Sequence, residues 1–113
     1  MLRMRTGVLA MVIGLAACDK LTAPETATLY YVLDAPLCSS QLHVQFRVDD
    51  VLIGEDTFRV NLAPNHTKSA PFTIPAGTHT VSARVVGGFV WPDSLVAMPA
   101  GATINDTLPF YCS

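Results

Sequence analysis

In Gln41-Leu42-His43-Val44-Gln45-Phe46-Arg47-Val48, apolar and polar residues alternate without a fault. Leu42, Val44, Phe46 and Val48 fall on one face and Gln41, His43, Gln45 and Arg47 on the other. A period of two with a single apolar face is that of a strand half-buried in an antiparallel sheet. The pattern recurs on either side. Thr57–Leu62 places Phe58, Val60 and Leu62 on one face, and Thr78–Val86 does so with Val81, Ala83 and Val85. Shorter apolar runs add strand candidates at Thr28–Leu33, Pro71–Ile74, Phe89–Trp91, Leu95–Met98 and Ala102–Leu108.

Turn-forming residues separate these runs at short intervals: Asp49-Asp50, Gly54, Pro64-Asn65, Pro75-Ala76-Gly77, Gly87-Gly88, Pro92-Asp93 and Pro99-Ala100-Gly101. In the two Pro-Ala-Gly turns, proline presets the first turn position and glycine supplies the positive φ that a type II turn needs. Short strands with frequent turns and no amphipathic helical stretch predict an all-β domain, a small antiparallel sandwich or barrel.

Val48-Asp49-Asp50-Val51-Leu52-Ile53-Gly54 and the later Ile74-Pro75-Ala76-Gly77-Thr78-His79-Thr80-Val81 carry a likeness. This part of the chain resembles the PEGA-type and related transthyretin-like or Ig-like β-sandwich modules of bacterial envelope proteins. Asp50 stands where those modules usually have a hairpin glycine, and Phe58 to Phe72 is longer than their compact spacing. The resemblance implies a sandwich of about seven strands, a structural role for His79, and a module that binds or spaces rather than catalyses.

The N-terminus supplies an address. Arg3 and Arg5 precede an uncharged, mostly apolar run from Thr6 to Ala17, the layout of a secretory signal. The run falls short of the roughly 20 apolar residues that a spanning helix needs. It ends in Leu15-Ala16-Ala17-Cys18, which resembles the lipobox of bacterial lipoprotein precursors. The resemblance implies a signal peptide over residues 1–17, acylation of Cys18, and a membrane-anchored protein facing the periplasm. An ordinary cleaved signal is the alternative. Two or three acyl chains anchor stably where one binds marginally, at about 0.8 kcal/mol per buried methylene. Residues 18–27 read as a short polar tether reaching no more than roughly 30 Å, with the folded domain over residues 28–113. Asp19 resembles an inner-membrane retention signal, a rule that differs between bacterial groups, so inner and outer membrane both stay open.

The whole chain's mean hydropathy of +0.40 is raised by that leader. After residue 17, five Lys and Arg stand against nine Asp and Glu, a formal charge of −4. That balance argues against a nucleic-acid partner, where a basic footprint dominates affinity. With Cys18 acylated, Cys38 and Cys112 remain, and an even pair in an exported domain reads as a disulfide. Closing so long a loop contributes up to roughly 4 kcal/mol. Free thiols or an intermolecular bridge are the alternatives. No Cys-x-x-Cys redox motif is present in the sequence.

The sequence carries no catalytic or metal signature. The three histidines lack ligand spacing, no Gly-x-Ser-x-Gly elbow occurs, and Asp49, Asp50, Glu55 and Asp56 read as solvated hairpin ends. We expect no catalytic residues, no metal and no cofactor. The recognition candidates are Phe89 and Trp91, in Phe89-Val90-Trp91-Pro92-Asp93, and Tyr30, one of two adjacent tyrosines that must point to opposite faces. Aromatics near a loop stack on sugars or anchor proteins, but a lone tryptophan in a small sandwich also belongs in the core. The expectation is a non-catalytic, lipid-anchored envelope protein acting as a binding or structural module. It would meet the membrane through Cys18 and a protein or glycan through the Phe89–Asp93 region or an unpaired sheet edge. The alternatives are a glycan or small-ligand binder using Trp91, and a periplasmic inhibitor or accessory of an envelope enzyme.

Overall fold

The computed structural model describes residues 25–112, so the expected signal segment over residues 1–17 and Cys18 lie outside the described residues. Seven strands form two stacked sheets: β1 (Thr26–Asp34), β2 (Ser40–Val48), β3 (Val51–Val60), β4 (Phe72–Pro75), β5 (Gly77–Val85), β6 (Ser94–Met98) and β7 (Thr103–Pro109). One sheet has the order β4-β1-β7 and the other β3-β2-β5-β6. The all-β sandwich expected from the alternation is therefore present. Every ladder is antiparallel except β1 with β7, which run parallel from Thr28 opposite Thr103 to Asp34 opposite Pro109.

The core lies between the sheets and is built from the faces that the period-two pattern marks. Val44, Phe46 and Val48 of β2 are buried, with Phe58 and Val60 of β3 and Val81 and Ala83 of β5. The facing sheet contributes Ala27, Leu29, Tyr31 and Leu33 of β1, Ile74 of β4 and Leu108 of β7. Tyr31 and Phe46 stack with ring centroids 4.2 Å apart, and Phe72 meets both edge-on. Burying each such side chain contributes about 1.5–3 kcal/mol, so this aromatic group is a main cohesive element between the sheets. The Tyr31 hydroxyl donates to the carbonyl of Arg47, which satisfies its one polar atom.

Four boundaries differ from the expectation. β1 begins at Thr26, two residues before the expected Thr28, and already buries Ala27. β3 begins at Val51, because a bulge shifts the register between Phe46 and Arg47. Two residues of the bulged strand oppose one of its partner, which destroys the period over Val51–Gly54. Gly54 is thus a strand residue and not a turn, and it lies under the ring of Phe72. Leu62 lies beyond β3, because Asn61 turns the chain with a φ of 54°. Phe89–Trp91 is not a strand; Val90 makes one isolated bridge to Arg84.

The sandwich has two distinguishable ends. At one, the chain enters β1, with the Pro75–Gly77 and Pro99–Gly101 turns alongside: Glu25 accepts from the amide of Ala76, and Thr26 from that of Gly101. At the other, Cys38 and Cys112 form a disulfide with their Cα atoms 5.3 Å apart. The chain crosses between sheets over Asn61–Pro71, where Thr67 and Ser69 bond to β1 and His66 to Arg59 of β3. This crossing covers one side of the sandwich. The opposite side exposes the edges of β6 and β7.

Candidate functional site

The three recognition candidates do not converge. Trp91 is a core residue, 3 % exposed, with its amide donating to the Ala83 carbonyl and its Nε1 to the Pro109 carbonyl. Held this way, the ring leaves little exposed surface for a sugar to stack on. Phe89 is 49 % exposed and leans edge-on against Trp91 and Phe110. Tyr30 lies on the outer face of the other sheet, where the ammonium of Lys68 sits 4.1 Å from its ring centroid. Its neighbour Tyr31 points inward, as adjacent strand residues must.

Phe89 lies on the β5–β6 connection, and its neighbour Val90 adjoins the outer face of the four-stranded sheet. Val86, Phe89 and Val90 are exposed together on this connection, and Leu95 follows on β6. A strand of β type must turn its outward set somewhere, and here that set is mixed: Gln45 and Arg47 from β2, Ser82 and Arg84 from β5. They line a shallow cleft of about 200 Å³ together with Asp50, Val90 and Asp93. Arg84 is held by Gln45, its Nε donating to Oε1 at 3.0 Å. Exposed apolar residues around a braced arginine have the composition of a protein-binding patch.

Three of the four acidic residues at the hairpin ends, Asp49, Glu55 and Asp56, each pair with a histidine. His79 has Nδ1 2.6 Å from Asp49 and Nε2 2.6 Å from the Pro75 carbonyl. Both partners are acceptors, an arrangement that favours the protonated ring, in which both nitrogens donate. The hydrogen bond to Asp49, then that to Pro75, raises the His79 pKa, and the bond from His79 lowers that of Asp49. His43 reaches Glu55 at 2.6 Å and Thr57 at 3.1 Å, and its bond lowers the Glu55 pKa. His66 reaches Asp56 at 2.9 Å. These are three separate pairs. Among the described residues, no group of three or more His, Cys, Asp or Glu is placed to hold a metal ion.

Two groups had no sequence signal, and a third had only a faint one. Asn61 donates from Nδ2 to the carbonyls of Pro36 and Cys38 and so clamps the disulfide loop. Ser69 is buried, accepting from the Tyr31 amide and donating to the Ala70 carbonyl. Asp106 points inward from β7 beside a cleft of about 200 Å³ lined by Trp91, Pro92, Ser94, Thr107, Leu108 and Pro109. Burial raises its carboxyl to about 6. Only for Asp106 does the sequence hold a clue, since Ile104, Asp106 and Leu108 share one face and the middle one is charged. No protein-family model matches the chain, and no curated protein is similar enough to lend it a function.

Proposed function

We propose that this protein is a lipid-anchored module of the bacterial cell envelope that acts by contact with another envelope protein. Its contact face is the segment Val86–Asp93 with the adjoining Arg84. The observation that carries this reading is the placement of Val86, Phe89 and Val90. All three are exposed on one short connection beside a braced arginine, and Val86 and Phe89 lie toward the end opposite the entry of β1. From Cys18 to Glu25 the chain extends no more than about 27 Å, so an acylated Cys18 holds that entry end near the bilayer and leaves the far end turned away from it. The disulfide supports an oxidising compartment, since such bonds persist in the periplasm and are rare in the cytosol.

Two measurements test this reading. Membrane fractionation of the full-length protein should place it with the envelope, and Cys18→Ser should release it to the soluble fraction. Affinity capture of the lipidated protein from cross-linked envelopes should recover a discrete protein partner, and Arg84→Glu should abolish that recovery while leaving the folded domain intact. A Cys18→Ser variant that stays membrane-bound argues against the anchor, and a partner retained undiminished by Arg84→Glu argues against this face.

A further inference from the structure

The exposed side of the sandwich, where β6 and β7 end their sheets, carries a second set of features that shares only Trp91 and Pro92 with the contact segment described above. The direction of the β7 backbone follows from two bonds: the Thr28 amide donates to the Ala102 carbonyl, and the Phe110 amide donates to the Asp34 carbonyl. In a parallel ladder of that register, the even residues Ile104, Asp106 and Leu108 turn their backbone groups to β1. Thr103, Asn105 and Thr107 then direct their amides and carbonyls away from it, along the edge. Beneath that edge, Asp106 projects inward between Ile104 and Leu108 and borders the cleft with Trp91 as one wall. No hydrogen bond or ion pair to the Asp106 side chain occurs among the described residues.

We infer that the β7 edge accepts an extended segment of a partner protein as an added strand, and that a lysine or arginine of that segment enters the cleft against Asp106. The backbone of Thr103, Asn105 and Thr107 supplies the ladder, the common source of affinity when a peptide extends a sheet. Asp106 supplies the selectivity. A half-buried carboxylate without a partner is costly, and a cation brought beside it offsets that cost. The same carboxylate disfavours strands that present an apolar or acidic side chain at that point, including a second copy of β7, which would bring its own Asp106. Burial of Asp106 leaves the group mostly ionised at neutral pH, as the pairing requires. Pro109 ends the available edge, because it has no amide to donate, and its carbonyl is already taken by Trp91.

The competing explanation is that Asp106 only guards an edge strand against self-association, a recognised use of inward-pointing charge. Selection from a displayed library of random twelve-residue peptides separates the two. The bait is the disulfide-bonded domain, first as the native sequence and then as Asp106→Asn. Native bait should enrich alternating sequences with a basic residue at a fixed apolar-face position. Asp106→Asn should weaken a selected peptide about tenfold or more, the loss of a charged hydrogen bond. Asn105→Pro should abolish binding with little change in folding, because it removes only an amide that faces away from β1. Arg84→Glu should leave the selected peptides bound, which distinguishes this edge from the contact face. Failure to enrich any sequence, enrichment without basic residues, or equal binding to Asp106→Asn overturns the inference. So does displacement of the peptide by free lysine amide alone, which would mark an amine site without strand addition.

Discussion

Asp49 and Asp50 occupy both central positions of the β2–β3 hairpin with φ of 51° and 67°. That is the left-handed conformation which two-residue hairpin turns require and for which glycine or asparagine is usual. Asp49 is compensated: its Oδ1 accepts from the Thr80 amide and its Oδ2 from His79. Asp50 has no such compensation, so Asp50→Gly should raise stability by about 0.5–1 kcal/mol in denaturant unfolding. The Asp49–His79 pair gives a pH dependence of definite sign. Its acidic member has a lowered pKa, so its contribution is present above the ordinary carboxylate range and fades as pH falls below it. Its basic member has a raised pKa, so its contribution is complete below about pH 6.5 and is lost as pH rises through the elevated value. NMR titration should give His79 a midpoint above that of a free histidine, and Asp49→Asn should bring it down. A midpoint unmoved by that change would show that the charge pair is not formed in solution.

At the scale of the strand, Gly54 and Asp106 show what alternation conveys and what it hides. An added Cβ at Gly54 would stand 2.7 Å from Cε1 of Phe72, across the gap between β3 and β4. Gly54→Ala should therefore displace that ring and destabilise the domain by about 1–3 kcal/mol, with the near-ultraviolet spectrum of the aromatic group altered. Asp106 has the opposite character, a charge at a position where the core wants none. Its folded pKa of about 6 exceeds the ordinary 3.8, so the folded state holds the proton more tightly and stability from this group falls as pH rises from about 4 to 6. Allowing for its partial exposure to solvent, the loss is about 1–2 kcal/mol. Asp106→Asn should be the more stable protein at pH 7 by roughly that amount, with the advantage vanishing near pH 3. The three alternating strands were legible in sequence because β2, β5 and the second half of β3 each keep one face inward. The first half of β3 was not, because a bulge is a register event between two strands and leaves no mark on either alone.

For the molecule as a whole, the disulfide ties the chain after β7 to the β1–β2 connection, at the end of the sandwich opposite the entry of β1. Reducing the bridge, or replacing both cysteines by serine, should lower stability by up to about 4 kcal/mol, a large share of what a domain of this size possesses. The pair could be named from sequence by counting, once Cys18 was assigned to lipid. The parallel β1–β7 ladder and the separation of Tyr30 from the Phe89–Trp91 pair could not, because both depend on which strand lies beside which. Trp91 shows the limit most clearly: its spacing from Phe89 fits a surface pair as well as a core anchor, and only the Pro109 carbonyl decides for the core. The central claim, contact through the Val86–Asp93 face, is tested most directly by site-specific photo-cross-linking in intact cells. A photoreactive residue at Val90 should give a discrete protein adduct, while one at Tyr30, on the far sheet, should give none. Adducts of equal yield from both positions, or none from Val90, would contradict it.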